Sequence, residues 1–290
     1  MDNKEYEEWM ARDDVKRAYE TVRMMQPVLL EIMTVFDTIC AENGLRYYLF
    51  YGTMLGALRH KGFIPWDDDA DVVMPRSDYE RLLGLPREKI PAGYFLQTPY
   101  SEKFGRFTFA KLRKDGTACI CEEHRHIRMH QGVFVDIFPF DEPARGCRLA
   151  MWLIPRFFDR LTAFSSARLP RGLGWLKPIQ FVWMRVFPPS YFARLANVAV
   201  KMLSGHAGYY MNPLCPVRSA CEKQGWDKGL FDPPRRVPFE DREFNIPAKA
   251  EALLAHKYGV WNEMPPEKWR WPVHSKGGIL SATHDYREFI

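Results

Sequence analysis

The sequence offers little to anchor a chain in a membrane or staple it covalently. Its longest uncharged stretch, Met202–Val217, is interrupted by Gly205, Gly208, Pro213 and Pro216, and is too short to span a bilayer. The N-terminal residues Met1–Trp9 are polar and acidic, with no apolar run behind a basic start, so no secretory signal is expected. Without export, the six cysteines read as reduced thiols rather than a disulfide framework. Cys119 and Cys121 lie near His124, His126 and His130, but the spacing follows no zinc pattern. No internal repeat or low-complexity tract is present. Charge of one sign is also scarce: 41 Lys and Arg face 36 Asp and Glu, a net charge of +5 over 290 residues. That balance tolerates phosphate-rich or membrane-surface partners and gives no footprint for nucleic acid.

What the chain does have is apolar and aromatic material, at 47% and 14%. That is ample for a packed core. Helical periodicity runs from Asp14 to Asn43, through Val22, Met25, Leu29, Ile32, Met33, Phe36 and Ile39, with Pro27 as an expected kink and Asn43-Gly44 as the stop. Leu45–Tyr51 reads as a strand, Met54–Arg59 as a short helix and Asp67–Met74 as an acidic strand. Tyr79–Leu83 reads as another helix. Phe107–Arg113 alternates, and Asp115-Gly116 predicts a hairpin return over Thr117–Cys121. Gly132–Phe138 is an apolar strand closed by Pro139, and Ala248–Tyr258 is helical. Between them, helical-looking stretches over Leu149–Phe164 and Trp175–Leu203 mix Trp and Phe with Arg and Lys.

The chemistry concentrates in Gly52-Thr-Met-Leu-Gly-Ala-Leu-Arg-His-Lys-Gly-Phe-Ile-Pro-Trp-Asp-Asp-Asp-Ala-Asp71. In an extended strand Asp67, Asp69 and Asp71 fall on one face. Carboxylates that close raise one another's pKa unless a cation neutralises them, and oxygen-only donors favour Mg2+ or Mn2+ over zinc. Such ions serve phosphoryl transfer. Asp136, alone in the apolar strand Val133–Phe138, is the natural further carboxylate, since a buried acid needs a partner. Gly52-Thr53, a tight turn at a helix start, can hold a phosphate on its backbone N–H groups.

These stretches resemble the LicD family, phosphocholine transferases and relatives on a nucleotidyltransferase fold, with the fukutin group as a distant branch. Gln131–Asp141 is similar to the family's second acidic strand, and Tyr258-Gly-Val-Trp-Asn-Glu-Met-Pro-Pro266 to its C-terminal motif. The likeness runs from about Val22 to His274 and is poor between Arg148 and Arg236.

The resemblance implies an α/β (α+β) protein, with a mixed nucleotidyltransferase-like sheet flanked by helices. It also implies one catalytic domain over 1–290 carrying a helical, aromatic and basic insert at about 148–236. Asp69 and Asp71 are the expected paired metal ligands, with Asp136 as third carboxylate and Asp67 as a further acidic position. Asp68 is less clearly placed. Arg59, Lys111 and Arg113 are expected on phosphate oxygens, beside Gly52 and Thr53. Glu240 falls in a family-like stretch without an assigned role.

The implied reaction moves a phosphoryl-linked group, phosphocholine first, from a CDP-activated donor to a glycan or lipid-linked glycan hydroxyl, with Mg2+ or Mn2+. Asp136 is the expected proton acceptor. Transfer of ribitol or glycerol phosphate, nucleotidyl transfer, and a non-catalytic glycan- or membrane-binding module are the alternatives. The expected location is cytoplasmic, with peripheral contact at the inner membrane face through the insert.

Overall fold

The computed structural model describes residues 13–166, 177–215, 219–266, 269–272 and 278–290. Met1–Trp9 lie outside them, as do Arg168, Arg171 and Trp175 of the aromatic-basic segment. The fold is mixed α+β, as the sequence predicts. Helix α1 (Asp13–Glu42) buries Val22, Met25, Leu29, Ile32, Phe36 and Ile39. It is long and apolar enough to cross a bilayer by length and composition, yet from Met25 onward this apolar stripe is part of the main core. Pro27 sits inside the helix without ending it. The stop falls at Gly44, whose φ of 56° lets Leu45 N–H return to the Cys40 carbonyl at 2.9 Å.

The main sheet has the order β1 (Tyr48–Leu49), β2 (Asp71–Pro75), β6 (Phe134–Phe140), β4 (Ala110–Lys114), β3 (Tyr94–Gln97). Only β2 and β6 run parallel; the other neighbours are antiparallel. The first strand is shorter than predicted. Tyr51 takes a left-handed φ of 49° and opens α2 (Tyr51–Arg59) at once. The second begins at Asp71 and leaves Asp67–Ala70 in a loop. Strand β6 continues through Pro139 to Phe140. Its pairing with β4 reaches only Ile137, so the missing Pro N–H costs no ladder bond on that side.

The predicted hairpin is not formed. Strand β5 (Ala118–Ile120) pairs instead with β11 (Ile279–Ser281), because both edges of β4 are already taken by β3 and β6. Chain segments 160 residues apart thus meet, and the final strand is laid against the middle of the molecule.

After Asp141 the chain leaves the sheet for α4 (Arg148–Ser166), α5 (Lys177–Val186) and α6 (Pro189–Met202). Helices α4 and α6 share a small core of Met151, Ala196 and Val200 with Met211 and Leu214. The long helices of the expected insert end at Met202. Tyr210 in β7 (Tyr209–Tyr210), Trp226 in β8 (Trp226–Asp227) and Phe231 belong to the main core, either side of the short helix α7 (Ala220–Gln224). The hairpin β9 (Arg235–Phe239) and β10 (Arg242–Ile246) and helix α8 (Ala250–Tyr258) complete that core through Phe239, Phe244 and Leu254.

The helix after β2, α3 (Arg76–Leu83), is tied to the end of β6 by an ion pair. Arg76 donates from Nε and Nη2 to the two oxygens of the fully buried Asp141, each at 2.7 Å. Without Asp141, Arg76 would keep only the partly exposed Glu80 and the Asn197 amide as partners, at 3.1 and 3.3 Å. Asp141→Ala is therefore expected to lose about 3–5 kcal/mol of stability in urea denaturation; a loss within experimental error would show that Arg76 finds other solvation.

Candidate active site

The acidic loop is held from three sides. The Gln26 side-chain amide donates to the Ile64 and Asp67 carbonyls, both at 3.1 Å. Glu240 takes the Phe63 N–H at 3.0 Å, and its own N–H bonds the Lys61 carbonyl at 2.7 Å. This gives Glu240 the role that its sequence context left open: it clamps the turn that delivers the acids. A Cβ at Gly62 would lie 2.1 Å from the Glu240 carboxylate, so any larger residue there would displace the clamp. At Gly52 a Cβ would come within 2.7 Å of Asp67 Oδ2, so a larger residue there would push the Asp67 carboxylate aside.

Held this way, Asp67, Asp68 and Asp69 each present a carboxylate oxygen within 4.8 Å of the others. An extended strand would have sent Asp68 to the opposite face; the loop gathers all three. Burial raises the Asp67 pKa well above the usual carboxylate range, and the neighbouring charges of Asp69 and Asp68 add to the shift. A crowded set of oxygen donors fits a hard divalent cation.

Asp71 follows at the first position of β2, where its N–H donates to the Thr53 hydroxyl at 2.8 Å. The Gly-Thr turn therefore fixes the start of the acidic strand; Thr53 is buried in that duty. Across the parallel pair, Asp71 stands opposite Asp136, whose N–H donates to the Ala70 carbonyl at 2.9 Å. Across the next, antiparallel pair, Asp136 stands opposite Lys111. One row across three strands thus reads Asp71, Asp136, Lys111. The Lys111 ammonium bonds the Asp136 carboxylate and lies over the Phe134 and Phe107 rings, 3.5 and 4.3 Å from their centroids. Burial lowers the Lys111 pKa and raises that of Asp136. For Asp136, Lys111 opposes the shift and Asp69 reinforces it.

Asp69, Asp136, Lys111 and Arg113 line one cavity of about 250 Å3, walled by Phe107, Phe109 and Phe134 and bordered by Gly278 and Leu280 from the C-terminal strand. Arg113 is turned to bracing it: it donates to Gln97 Oε1 at 2.7 Å and to the Gly132 carbonyl at 2.6 Å. Burial brings its pKa down to about 10. Arg59 donates to the carbonyls of Trp261 and Glu263, at 3.2 and 2.9 Å, and so fastens the C-terminal motif to α2. Of the three expected phosphate ligands, Lys111 stands beside an acid of the site, and the two arginines are engaged with protein carbonyl and amide groups.

Sequence reasoning gave no role to Tyr258 at the end of α8. Its hydroxyl pKa is raised by burial and then by the charges of Asp71, Asp67, Glu222 and Asp69. The histidines near Cys119 are otherwise engaged. His124 contacts Arg106, and His130 pairs with Asp115 at 2.8 Å.

The profile of the LicD/FKTN/FKRP nucleotidyltransferase domain matches residues 44–157, a span that encloses every acid of this site. Over those residues the chain is similar to the nucleotidyltransferase domain of the LicD family. Its likeness to the lipopolysaccharide cholinephosphotransferase LicD of Haemophilus influenzae extends well beyond that domain. The two are 27% identical over 263 residues, covering 88% of this chain and 96% of the relative. Uncharacterized proteins of Rickettsia prowazekii and Rickettsia typhi share 38% identity over 50 residues, 17% of this chain and 19% and 16% of theirs.

The raised Asp67 pKa has a thermodynamic consequence for the fold. Between the unfolded value, about 4, and the raised folded value, the fold binds a proton that the unfolded chain does not. Without a bound cation, the contribution of Asp67 to stability therefore falls as pH rises through that window. Asp67→Asn is expected to raise Tm at neutral pH and flatten its pH dependence in chelator-treated protein; an unchanged profile would show the cluster to be solvated.

Proposed function

We propose that this protein transfers phosphocholine from a CDP-activated donor to a hydroxyl of a cell-surface glycan, with Mg2+ or Mn2+ as cofactor. The observation that carries this reading is the near full-length likeness to a lipopolysaccharide cholinephosphotransferase, with all the gathered carboxylates inside the matched domain. In this reading Asp67, Asp69, Asp71 and Asp136 are the metal-binding acids, and Asp68 joins them from the loop. The cation would neutralise the donor diphosphate and the charge that develops as the leaving group departs.

The chain's own residues do the rest. The acceptor oxygen forms a new bond to the phosphorus that carries choline. The diphosphate bridge breaks, and CMP leaves. Asp136, made more basic than an ordinary carboxylate by burial, takes the hydroxyl proton. The adjacent Lys111 ammonium balances its charge. Phe107, Phe109 and Phe134 wall the cavity and hold the Lys111 ammonium against their faces, beside the acids. The domain is read as a single catalytic unit over 1–290, with the helical segment from Arg148 as its insert.

Thermal-shift titration with CDP-choline, CDP-ribitol and CDP-glycerol in the presence of Mg2+ tests the donor. CDP-choline is expected to give the largest stabilisation, and the absence of a shift with any of the three would end the donor assignment. Asp69→Asn and Asp71→Asn are each expected to cut turnover by about a thousandfold, the scale of several kcal/mol of lost charge stabilisation, with Tm unchanged or raised. Retained turnover would remove these acids from the site.

A further inference from the structure

Helices α4, α5 and α6 carry an apolar surface that the catalytic reading leaves without a task. Among the described residues, eleven of the eighteen exposed large apolar side chains lie between Leu149 and Met202. They are ordered. On α4, Leu149, Leu153 and Phe157 recur every fourth residue, and Phe157 is 60% exposed. On α5, Ile179, Val182 and Val186 follow helical spacing and are 59%, 60% and 61% exposed. The two helices meet where Phe164 faces Trp183, with ring centroids 6.4 Å apart. Leaving this much aliphatic surface in water is costly unless something covers it.

The charge on these helices says what. They hold three, two and two basic residues in chain order, against the single acid Asp159. Arg148, Arg160 and Arg185 are exposed on the same helices as the apolar rows. Exposed apolar side chains beside exposed arginines match a lipid surface that offers both an acyl boundary and anionic headgroups. The other side of α4 looks inward. Its Pro155, Arg156 and Asp159 line a cavity of about 230 Å3 whose wall includes Phe107, Phe109 and His124. Those three residues also line the cavity of the acidic site. One helix therefore joins an exposed apolar surface to the neighbourhood of the chemistry.

We propose that α4 and α5 form a docking surface for an anionic membrane, which brings a lipid-borne acceptor to the site. The test is flotation of the full-length protein with vesicles of phosphatidylcholine alone and with about one-third phosphatidylglycerol. Binding is expected only to the anionic vesicles, weakened by salt. The double variant I179D/V182D is expected to weaken it about tenfold or more at unchanged Tm. The triple variant R148E/R160E/R185E should do the same through charge alone. Absence of binding to anionic vesicles, equal binding by wild type and both variants, or a dimer in sedimentation dispersed by I179D/V182D without any vesicle binding would each overturn the proposal. The last outcome would assign the surface to a second copy of the chain. The vesicles contain neither donor nor glycan, so docking and the proposed reaction can fail separately. Turnover on a water-soluble acceptor should be the same in wild type and I179D/V182D.

Discussion

The parallel pairing of β2 with β6 is the constraint on which the rest of the site depends. It puts Asp71 opposite Asp136, and the antiparallel pairing of β6 with β4 adds Lys111 to the same row. Strand side chains alternate faces, so a slip of one residue would send the whole row to the other side of the sheet. The register is pinned by the apolar residues on the same strands, Val72, Val73, Val135 and Ile137, all buried in the main core. Hydrophobic burial thus fixes the positions of charges that would not choose each other's company.

Acids so close repel, and that repulsion has to be opposed elsewhere. The opposition here is mechanical. Gln26, Glu240 and the Thr53 hydroxyl hold the backbone around Asp67–Asp71, and Gly52 and Gly62 leave the space that the carboxylates of Asp67 and Glu240 need. In the proposed reading this prepares the site for a cation, which would bind with little reorganisation. Lys111 plays a bounded part. It balances Asp136 from within a ring of phenylalanines, where burial lowers its pKa and Asp136 counters that shift.

The C-terminal part of the chain, far away in sequence, closes the site. Strand β11 pairs with β5 and brings Gly278 and Leu280 to the cavity rim, while Trp261 and Glu263 are bound by Arg59. The helices from Arg148 to Met202 stand on the other side, with α4 shared between the surface and the wall of the neighbouring cavity. A site built on the sheet thus has walls drawn from both later parts of the chain, and substitutions in either can reach it without touching an acid.

Much of this was legible in the residues. The helical period of α1, the apolar run of β6, the Asp-rich segment and the lone Asp136 within apolar sequence follow from side-chain chemistry at fixed spacing, which needs no knowledge of neighbours. The excess of aromatic and basic residues after Arg148 was legible in the same way. Other features depend on who pairs with whom. Thr117–Cys121 has the pattern of a returning hairpin strand, but β4 had no free edge to offer it. Arg59, Lys111 and Arg113 are alike as charges in sequence. Only the packed fold turns the first to the C-terminal motif, the second to Asp136 and the third to Gln97 and Gly132. The sequence by itself determined that this chain would concentrate carboxylates between apolar strands, since composition and period are local properties. Tertiary structure decided which carboxylates meet and which cations face them, because register and edge occupancy are set by long-range pairing that no local window contains.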